Sequence, residues 1–145
     1  MRKSKAFTLV ELMVVVVIVG IFATLAYPMF SKTMTQARIR DAARQLSAMH
    51  AAVLIYRAQN GQFYESSGWL SLASFNTEHD TNFTAESGMT YFYVTTGSPP
   101  TAFTAGAIWN EGLSDEWRVE VSEAALDTNN PCCRSGGCTI ALPSC

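Results

Sequence analysis

The sequence predicts an α+β protein in which one long N-terminal helix packs on a small antiparallel β-sheet. A helical pattern of apolar residues runs through residues 7–59, and short runs of aromatic and β-branched residues follow it. The chain has 145 residues, 48% of them hydrophobic, which suits one compact domain. This composition excludes a disordered chain, and a single long apolar run excludes a multi-span membrane protein.

Charge is divided unevenly along the chain. Residues 1–57 hold eight Lys or Arg and two acids, whereas residues 58–145 hold ten acids and two Arg. The net charge is −2, and an acidic C-terminal body argues against direct nucleic-acid binding, since phosphate contacts need Lys or Arg. We therefore expect an apolar, basic N-terminal segment followed by an acidic, soluble body.

The apolar run at residues 7–27 is long enough to cross a membrane. A helix rises about 1.5 Å per residue, so this run spans a bilayer core of roughly 30 Å. The leader, residues 1–6, carries three positive charges and is expected to stay cytoplasmic. An ordinary secretory signal peptide is an alternative, but no A-x-A-like cleavage site follows the run promptly. A simple single-pass anchor is another, and it leaves Glu11 unexplained.

Glu11 is the one ionisable residue in this run. Burying a carboxylate in the bilayer costs free energy, so a glutamate at this position indicates a function. The alternative is that Glu11 lies near the cytoplasmic end of the helix and extends its side chain to the membrane interface. A cationic partner arises if the chain is cut before Phe7, because the new α-amino group then lies one helical turn from Glu11.

The order Ala6-Phe7-Thr8-Leu9-Val10-Glu11, followed at once by an apolar helix, resembles the class III signal of type IV pilins and type II secretion pseudopilins. Gly20 and Pro28 stand where many members have a helix-loosening glycine and a bending proline. The resemblance covers residues 1–60 closely and the remainder only in architecture. One departure is Ala6, because the residue before the cut is usually glycine in this family.

The resemblance implies the pilin fold and three segments. These are a cytoplasmic leader at 1–6, a transmembrane and filament-core helix at 7–28, and the rest of the helix with an extracellular globular head at 29–145. A prepilin peptidase would cut after Ala6 and methylate the new amine of Phe7. Glu11 would attract the N-terminal ammonium of a neighbouring subunit, which would make the pair a check on subunit register.

The same resemblance implies the partners and the location. The partners are other pilin subunits, the prepilin peptidase, the inner-membrane assembly machinery and, before assembly, membrane lipid. The protein would sit in the inner membrane with its N-terminus inside and then move into a surface filament serving adhesion, twitching motility or DNA uptake. Neither an enzymatic activity nor a cofactor nor a metal is expected.

Two other functions remain as alternatives. A type II secretion pseudopilin shares the N-terminal signature, but its major form usually carries a calcium loop near a D-P-W-G segment and lacks cysteines. Here residues 115–118 read Asp-Glu-Trp-Arg and four cysteines are present, which favours a pilus. The second alternative is a membrane-tethered binding module that never polymerises. Glu11 is expected to discriminate, because a passive tether should gain nothing from it.

Beyond Pro28 the helix becomes amphipathic and is expected to end at Asn60-Gly61, with Gly61 as the left-handed C-terminal cap. Gly20, Thr24 and Pro28 should weaken it over residues 20–28, which predicts a kink. The alternative, implied by the resemblance, is local melting that lets the filament stretch. The apolar stripe consists of Phe30, Met34, Ile39, Ala42, Ala43, Leu46, Met49, Val53 and Tyr56.

Residues 61–88 show no sustained period and are predicted to be a connecting loop. Strands are then predicted at 89–96, 101–109 and 117–122, with a turn at 97–100. This order fits a meander of three or four antiparallel strands against the C-terminal half of the helix.

The tail contains Cys132, Cys133, Cys138 and Cys145. A zinc site lacks its second ligand pair, and a thioredoxin-like centre needs the absent C-x-x-C, so structural disulfides are favoured in an oxidising compartment. Many type IV pilins close a C-terminal loop with one disulfide, and two disulfides here would be a variant of that arrangement. Vicinal cysteines on a strand point to opposite faces, so Cys132 and Cys133 should not pair with each other. We favour Cys133–Cys138 across the Arg-Ser-Gly-Gly turn, with Cys132–Cys145 closing the outer loop, and the crossed pairing is the alternative.

The remaining conspicuous side chains are given structural roles. His50 is expected to pack or face solvent, and His79 lies in a predicted polar loop without a second ligand nearby. Phosphate-loop, catalytic-triad and H-E-x-x-H patterns are absent from the sequence. The predicted core or interface anchors are Trp69, Trp109 and Trp117.

Overall fold

The computed structural model describes residues 8–110, 117–123 and 130–145. The chain divides into two compact units, Met1–Thr35 and Gln36–Cys145, and we call the second the head unit. The helices are α1 (Leu9–Asn60) and α2 (Leu72–Glu78), with a short 3-10 helix at Gly137–Ile140. The strands are β1 (Leu70–Ser71), β2 (Met89–Thr96), β3 (Ala102–Trp109), β4 (Trp117–Ser122) and β5 (Cys132–Ser135).

In the first unit, α1 is apolar and exposed. Every side chain that the structure describes between residues 8 and 34 is exposed. An 18-residue window of α1 has a mean hydropathy of 2.7 and none of it is buried, so by length and composition this helix can cross a membrane. A helix that is apolar on all sides has to be covered by lipid or by other helices.

In the head unit, α1 contributes one face of the hydrophobic core. Most of the predicted stripe is buried there, whereas Phe30 and Met34 in the first unit are exposed and Tyr56 is half-buried. The stripe therefore packs only where the sheet of the head unit can cover it. Its buried members are Ile39, Ala42, Ala43, Leu46, Met49 and Val53.

The end of α1 confirms the predicted stop. Gly61 has a φ of +77°, and its N–H donates to the carbonyl of Arg57 at 2.8 Å. A left-handed backbone at this position suits glycine, which has no Cβ to clash with the preceding carbonyl.

The sheet is a five-stranded antiparallel meander in the order β1-β2-β3-β4-β5. Strand residues alternate between two faces. The face toward α1 is buried and carries the aromatic side chains of the core, including Trp109 and Trp117. Its other large members are Tyr91, Tyr93, Phe103, Val119 and Val121.

Two expectations for the head unit are wrong. Residues 61–88 are not only a connecting loop, because they contain β1 and α2. The sheet has five strands instead of three or four, because β1 adds two residues beside β2 and β5 adds the cysteine segment beside β4. Helix α2 and strand β1 are too short to show a period in the sequence. Helix α2 has 7 residues and buries only Phe75.

The outer face of the sheet holds a close contact at Gly106. Phe92 and Gly106 are register partners on neighbouring strands, and the Phe92 ring lies over the glycine. A Cβ at position 106 would lie 2.2 Å from two atoms of that ring. Glycine is therefore required here by space and not by a left-handed backbone.

We expect Gly106→Ala to destabilise the head unit by about 1–3 kcal/mol, because the Phe92 ring is held by its neighbours and must be displaced. Gly68→Ala is the matched control, since a Cβ at Gly68 meets nothing within 4 Å. Thermal unfolding followed by the fluorescence of the buried tryptophans measures both variants. Equal midpoints for the two variants would contradict this packing.

Candidate functional site at the start of helix α1

Glu11 and Thr8 form a reciprocal cap at the N-terminus of α1. The backbone N–H and the hydroxyl of Thr8 donate to Glu11 Oε2 at 3.0 and 2.9 Å. In return, the N–H of Glu11 donates to Thr8 Oγ1 at 3.2 Å. This arrangement is a capping box, and it satisfies two of the N–H groups that a helix start leaves unpaired.

The capping box uses only one of the two carboxylate oxygens. Within residues 8–110, 117–123 and 130–145, Glu11 Oε1 takes part in none of the hydrogen bonds or ion pairs. A carboxylate offers about four acceptor positions, so Glu11 can cap its own helix and still accept a cation. The negative charge also lies at the positive end of the helix dipole, which favours it further.

This geometry corrects one inference from the sequence. A passive tether does gain from Glu11, because the side chain caps the helix, so the presence of Glu11 alone does not separate a tether from a polymerising subunit. The signal was readable as Thr8-Leu-Val-Glu11, a T-x-x-E pattern ahead of an apolar run. The discriminating property is the charge and not the cap.

The other predicted residues of the N-terminal segment are placed as follows. Ala6 and Phe7 lie outside the described residues. Gly20 lies within α1, which continues without interruption through residues 20–28 and past Pro28. The hydroxyl of Thr24 donates to the carbonyl of Ile21 at 2.8 Å. The proposed weakness of this stretch stays a prediction.

The four cysteines form two disulfides. Cys132 pairs with Cys145, with Cα atoms 4.9 Å apart, and Cys133 pairs with Cys138, with Cα atoms 5.4 Å apart. This is the pairing favoured from the sequence. Cys133 and Cys138 are buried in the core, whereas Cys145 is exposed.

Backbone hydrogen bonds fold the tail onto β5. The N–H of Cys133 donates to the carbonyl of Pro143 at 2.7 Å, and the N–H of Cys145 donates to the carbonyl of Cys133 at 3.0 Å. Before β5, the buried Asn130 side chain accepts from the N–H of Ser122 and donates to its carbonyl. The C-terminal loop is therefore attached to β5 by disulfides and hydrogen bonds, and the segment before β5 is attached to β4 by hydrogen bonds.

The two histidines pack against aromatic rings. His50 is buried, with its ring centroid 5.5 Å from that of Phe103. His79 is not in a featureless loop, because it is the C-cap of α2 and stacks on Phe75 with 4.1 Å between ring centroids. Burial lowers the pKa of the His79 imidazole, which favours the neutral ring.

Among the described residues, no group of three or more His, Cys, Asp or Glu could hold a metal ion. Of the three tryptophans, Trp109 and Trp117 are core residues, as expected for anchors, and Trp117 is fully buried. Trp69 differs, because 61% of it is exposed. Its ring stacks on Phe92 with 4.6 Å between centroids.

The comparisons with known proteins point to the N-terminal segment. The family described as the prokaryotic N-terminal methylation motif matches residues 1–27. The fimbrial protein EcpB of Eikenella corrodens is 39% identical over 61 residues, which is 42% of this chain and 38% of that protein. No solved structure matches the chain.

Relatives from two kinds of machinery match over similar lengths. The type II secretion system core protein G of Pseudomonas aeruginosa is 41% identical over 59 residues, 41% of this chain and 42% of that protein. The type IV major pilin protein PilE1 of Neisseria gonorrhoeae is 34% identical over 71 residues, 49% of this chain and 43% of that protein. The chain thus spans about two fifths of the length of these curated relatives.

Proposed function

We propose that this chain, which belongs to the family of type IV pilins and pseudopilins, is a structural subunit of a type IV pilus. The observation that carries the proposal is the register of four features: a basic leader, the Ala6-Phe7 junction, Glu11, and a helix whose apolar side chains are exposed on all sides. A filament of packed helices covers such a surface once the subunit leaves the lipid. The proposed role is structural, and we assign no catalytic step to the chain.

Assembly would proceed in three stages. The subunit first resides in the inner membrane with its leader on the cytoplasmic side. There a prepilin peptidase cuts after Ala6 and methylates the amine of Phe7. The inner-membrane machinery then moves it from lipid into the filament. There the ammonium of Phe7 on one subunit would pair with the free oxygen of Glu11 on a neighbour. A filament serving adhesion, twitching motility or DNA uptake is the proposed product.

The charge pair would control register because both charges are buried in the filament. Burial of an ion pair is tolerated when the two charges meet, whereas leaving one of them unpaired costs about 3–5 kcal/mol. A subunit that enters out of step leaves two charges unpaired. The capping box supports this role, since Thr8 holds the Glu11 carboxylate in place before the partner arrives.

A pseudopilin of a type II secretion system is the second candidate. The match to the secretion core protein G of Pseudomonas aeruginosa supports it, because that match extends over as much of the chain as the match to the fimbrial protein of Eikenella corrodens. The two disulfides of the tail favour the pilus, since the major pseudopilin usually lacks cysteines. The segment at residues 115–118 also departs from the pseudopilin calcium loop.

We expect the sheared surface fraction of the producing cell to contain this chain beginning at Phe7, with a methyl group on its α-amine. Arg2, Lys3 and Lys5 should be lost with the leader. Electron microscopy with peptide identification and intact-mass analysis measures both properties. A mature start near Pro28 indicates a conventional signal peptide and removes the pilin proposal.

A subunit that is processed at Phe7 yet absent from surface filaments indicates the pseudopilin. Ala6→Gly is the matched variant for the cut, because it restores the family's usual residue. Processing of Ala6→Gly should be at least as complete as that of the natural chain.

A further inference from the structure

The outer face of the head-unit sheet carries an aromatic surface with a charged edge, which we call the Trp69 platform. Trp69 stacks on Phe92 at an interplanar angle of 17°, and Phe92 is only 2% exposed. The Arg118 guanidinium lies 4.7 Å from the centroid of the Phe92 ring and 5.5 Å from that of Trp69. One face of Trp69 is therefore covered by Phe92, while 61% of the residue is exposed.

Charged groups continue from the platform across the sheet. Arg118 pairs with Glu120, and Glu120 Oε2 lies 3.8 Å from Arg134 Nε on β5. The Arg134 side chain is 62% exposed. Arg118 and Glu120 are mostly covered, with 30% and 13% of their side chains exposed, so Arg134 is the most exposed of the three charged groups.

Hydrogen bonds attach the segment that precedes Trp69 to β2. The N–H of Ser66 donates to Thr95 Oγ1 at 3.0 Å, and the N–H of Thr95 donates to Ser66 Oγ at 3.2 Å. Strand β1 follows Trp69 directly and pairs with β2. An indole stacked on a neighbouring ring has less conformational entropy to lose on binding than a surface side chain without contacts, which suits a preformed site.

We infer that the Trp69 platform binds carbohydrate, specifically β-linked pyranose chains whose hydroxyls are equatorial. Such a sugar has an apolar face of axial C–H groups that matches the indole ring, and hydroxyls at its rim that match planar guanidinium and carboxylate groups. Arg134 would donate hydrogen bonds to these hydroxyls, and the Glu120 carboxylate would accept hydrogen bonds from them. This site deepens the proposed function, because it gives a surface filament a ligand to adhere to.

Charge separates this ligand from single-stranded nucleic acid. An aromatic platform also suits nucleobases, but such sites combine it with a positive groove along the phosphates. Here Glu120 lies between Arg118 and Arg134 and pairs with both. Residues 58–145 hold ten acids against these two arginines. A neutral ligand with hydroxyl groups therefore fits better than a polyanion.

The test is a titration of the full chain with hexasaccharides of β-linked glucose and β-linked N-acetylglucosamine. The chain is purified as sheared filaments or in a zwitterionic detergent, which has no sugar headgroup to compete. Because Trp109 and Trp117 are buried, the ligand-dependent change in tryptophan emission should come from Trp69. At least one hexasaccharide should bind. Trp69→Ala lacks the reporting indole, so it is compared with the natural chain by isothermal titration calorimetry, where it should bind about tenfold more weakly or worse.

Two further variants separate binding from folding. Arg134→Ser leaves the Trp69–Phe92 stack intact and should weaken binding severalfold. Ile55→Ala removes an equally exposed apolar side chain from α1 and should bind as the natural chain does. Thermal midpoints measured for all variants show that the head unit is folded.

Three results of the titration would overturn the inference. They are an absence of binding to either hexasaccharide by the natural chain, equal binding by a folded Trp69→Ala, and preference for an oligodeoxynucleotide over both sugars. Loss of filaments in folded Trp69→Ala would also overturn it, because the platform would then be a contact between subunits. The titration in detergent does not need filaments, so its outcome is independent of whether the chain polymerises.

Discussion

A Glu11→Gln subunit is expected to reach the membrane and to be cut after Ala6 in normal amounts, but to be lost from surface filaments. Glutamine keeps the size of the side chain, and it also occurs at the N3 position of capping boxes, so Thr8 retains its hydrogen-bond partner. Only the charge is removed. A neutral amide also costs less to bury in lipid than a carboxylate, so the membrane form should be no less stable.

The expected loss of filaments is large because the neighbouring ammonium would stay buried without a counter-charge. Removing one member of a buried ion pair typically costs about 3–5 kcal/mol, which is more than a hundredfold in an assembly equilibrium. The measurement compares processed subunit in the membrane fraction with subunit in the sheared filament fraction. Filaments built from Glu11→Gln at normal yield would contradict the pairing mechanism.

Thr8→Val is the matched control, because it removes the hydroxyl of the cap and keeps the charge of Glu11. Losing a cap costs a helix about 1 kcal/mol, so filament yield should fall only modestly. If Thr8→Val loses filaments as completely as Glu11→Gln while both are processed, assembly needs the cap as well as the charge. A tethered binding module would show no change of function in either variant.

The long helix was predictable because its signals are repeated over many residues. The stripe from Ile39 to Val53 and the stop at Gly61 agree with the structure, since each rests on spacing or on a backbone requirement that one residue fulfils. Helix α2 and strand β1 were missed because a helix of 7 residues and a strand of 2 residues have no period to detect. Their stability comes from tertiary contacts, such as the burial of Phe75, which a sequence does not display.

At the candidate site the sequence singled out Glu11 as an ionisable residue in an apolar run, but it did not predict that Glu11 caps the helix. The T-x-x-E pattern at Thr8 was present, and a check for capping boxes would have found it. The Trp69 platform was not predictable in the same way. Its members are spread from residue 69 to residue 134, and only the register of β2, β3 and β4 brings them onto one face.

Removal of both disulfides is expected to leave the head unit unable to accumulate in its folded form. In the chain-entropy account, closing the loop between Cys132 and Cys145 contributes about 3 kcal/mol, and closing the shorter loop between Cys133 and Cys138 contributes about 2 kcal/mol. Their sum is comparable to the whole stability of a small domain, which is about 5–15 kcal/mol. The tail also supplies β5, so its release exposes one edge of β4.

The two disulfides are expected to stabilise the head unit by different mechanisms. Replacing Cys132 and Cys145 by alanine mainly frees the chain end, because Cys145 is exposed. Replacing Cys133 and Cys138 by alanine also leaves a void, because both are buried in the core. We therefore expect similar falls in thermal midpoint from the two pairs, despite their different loop lengths. Emission from the buried Trp109 and Trp117 reports the transition.

The pairing itself can be tested with one substitution, because Cys145→Ala releases the thiol of its partner. In the structure that partner is Cys132, so alkylation of protein prepared without reductant should label Cys132 and spare Cys133. Fragmentation of the labelled peptide distinguishes the two neighbours. Label on Cys133 would show the crossed pairing, in which the buried sulfur of Cys138 bonds to Cys132 instead. The two connectivities close loops of similar size, so stability alone would not separate them, and the identity of the released thiol decides between them.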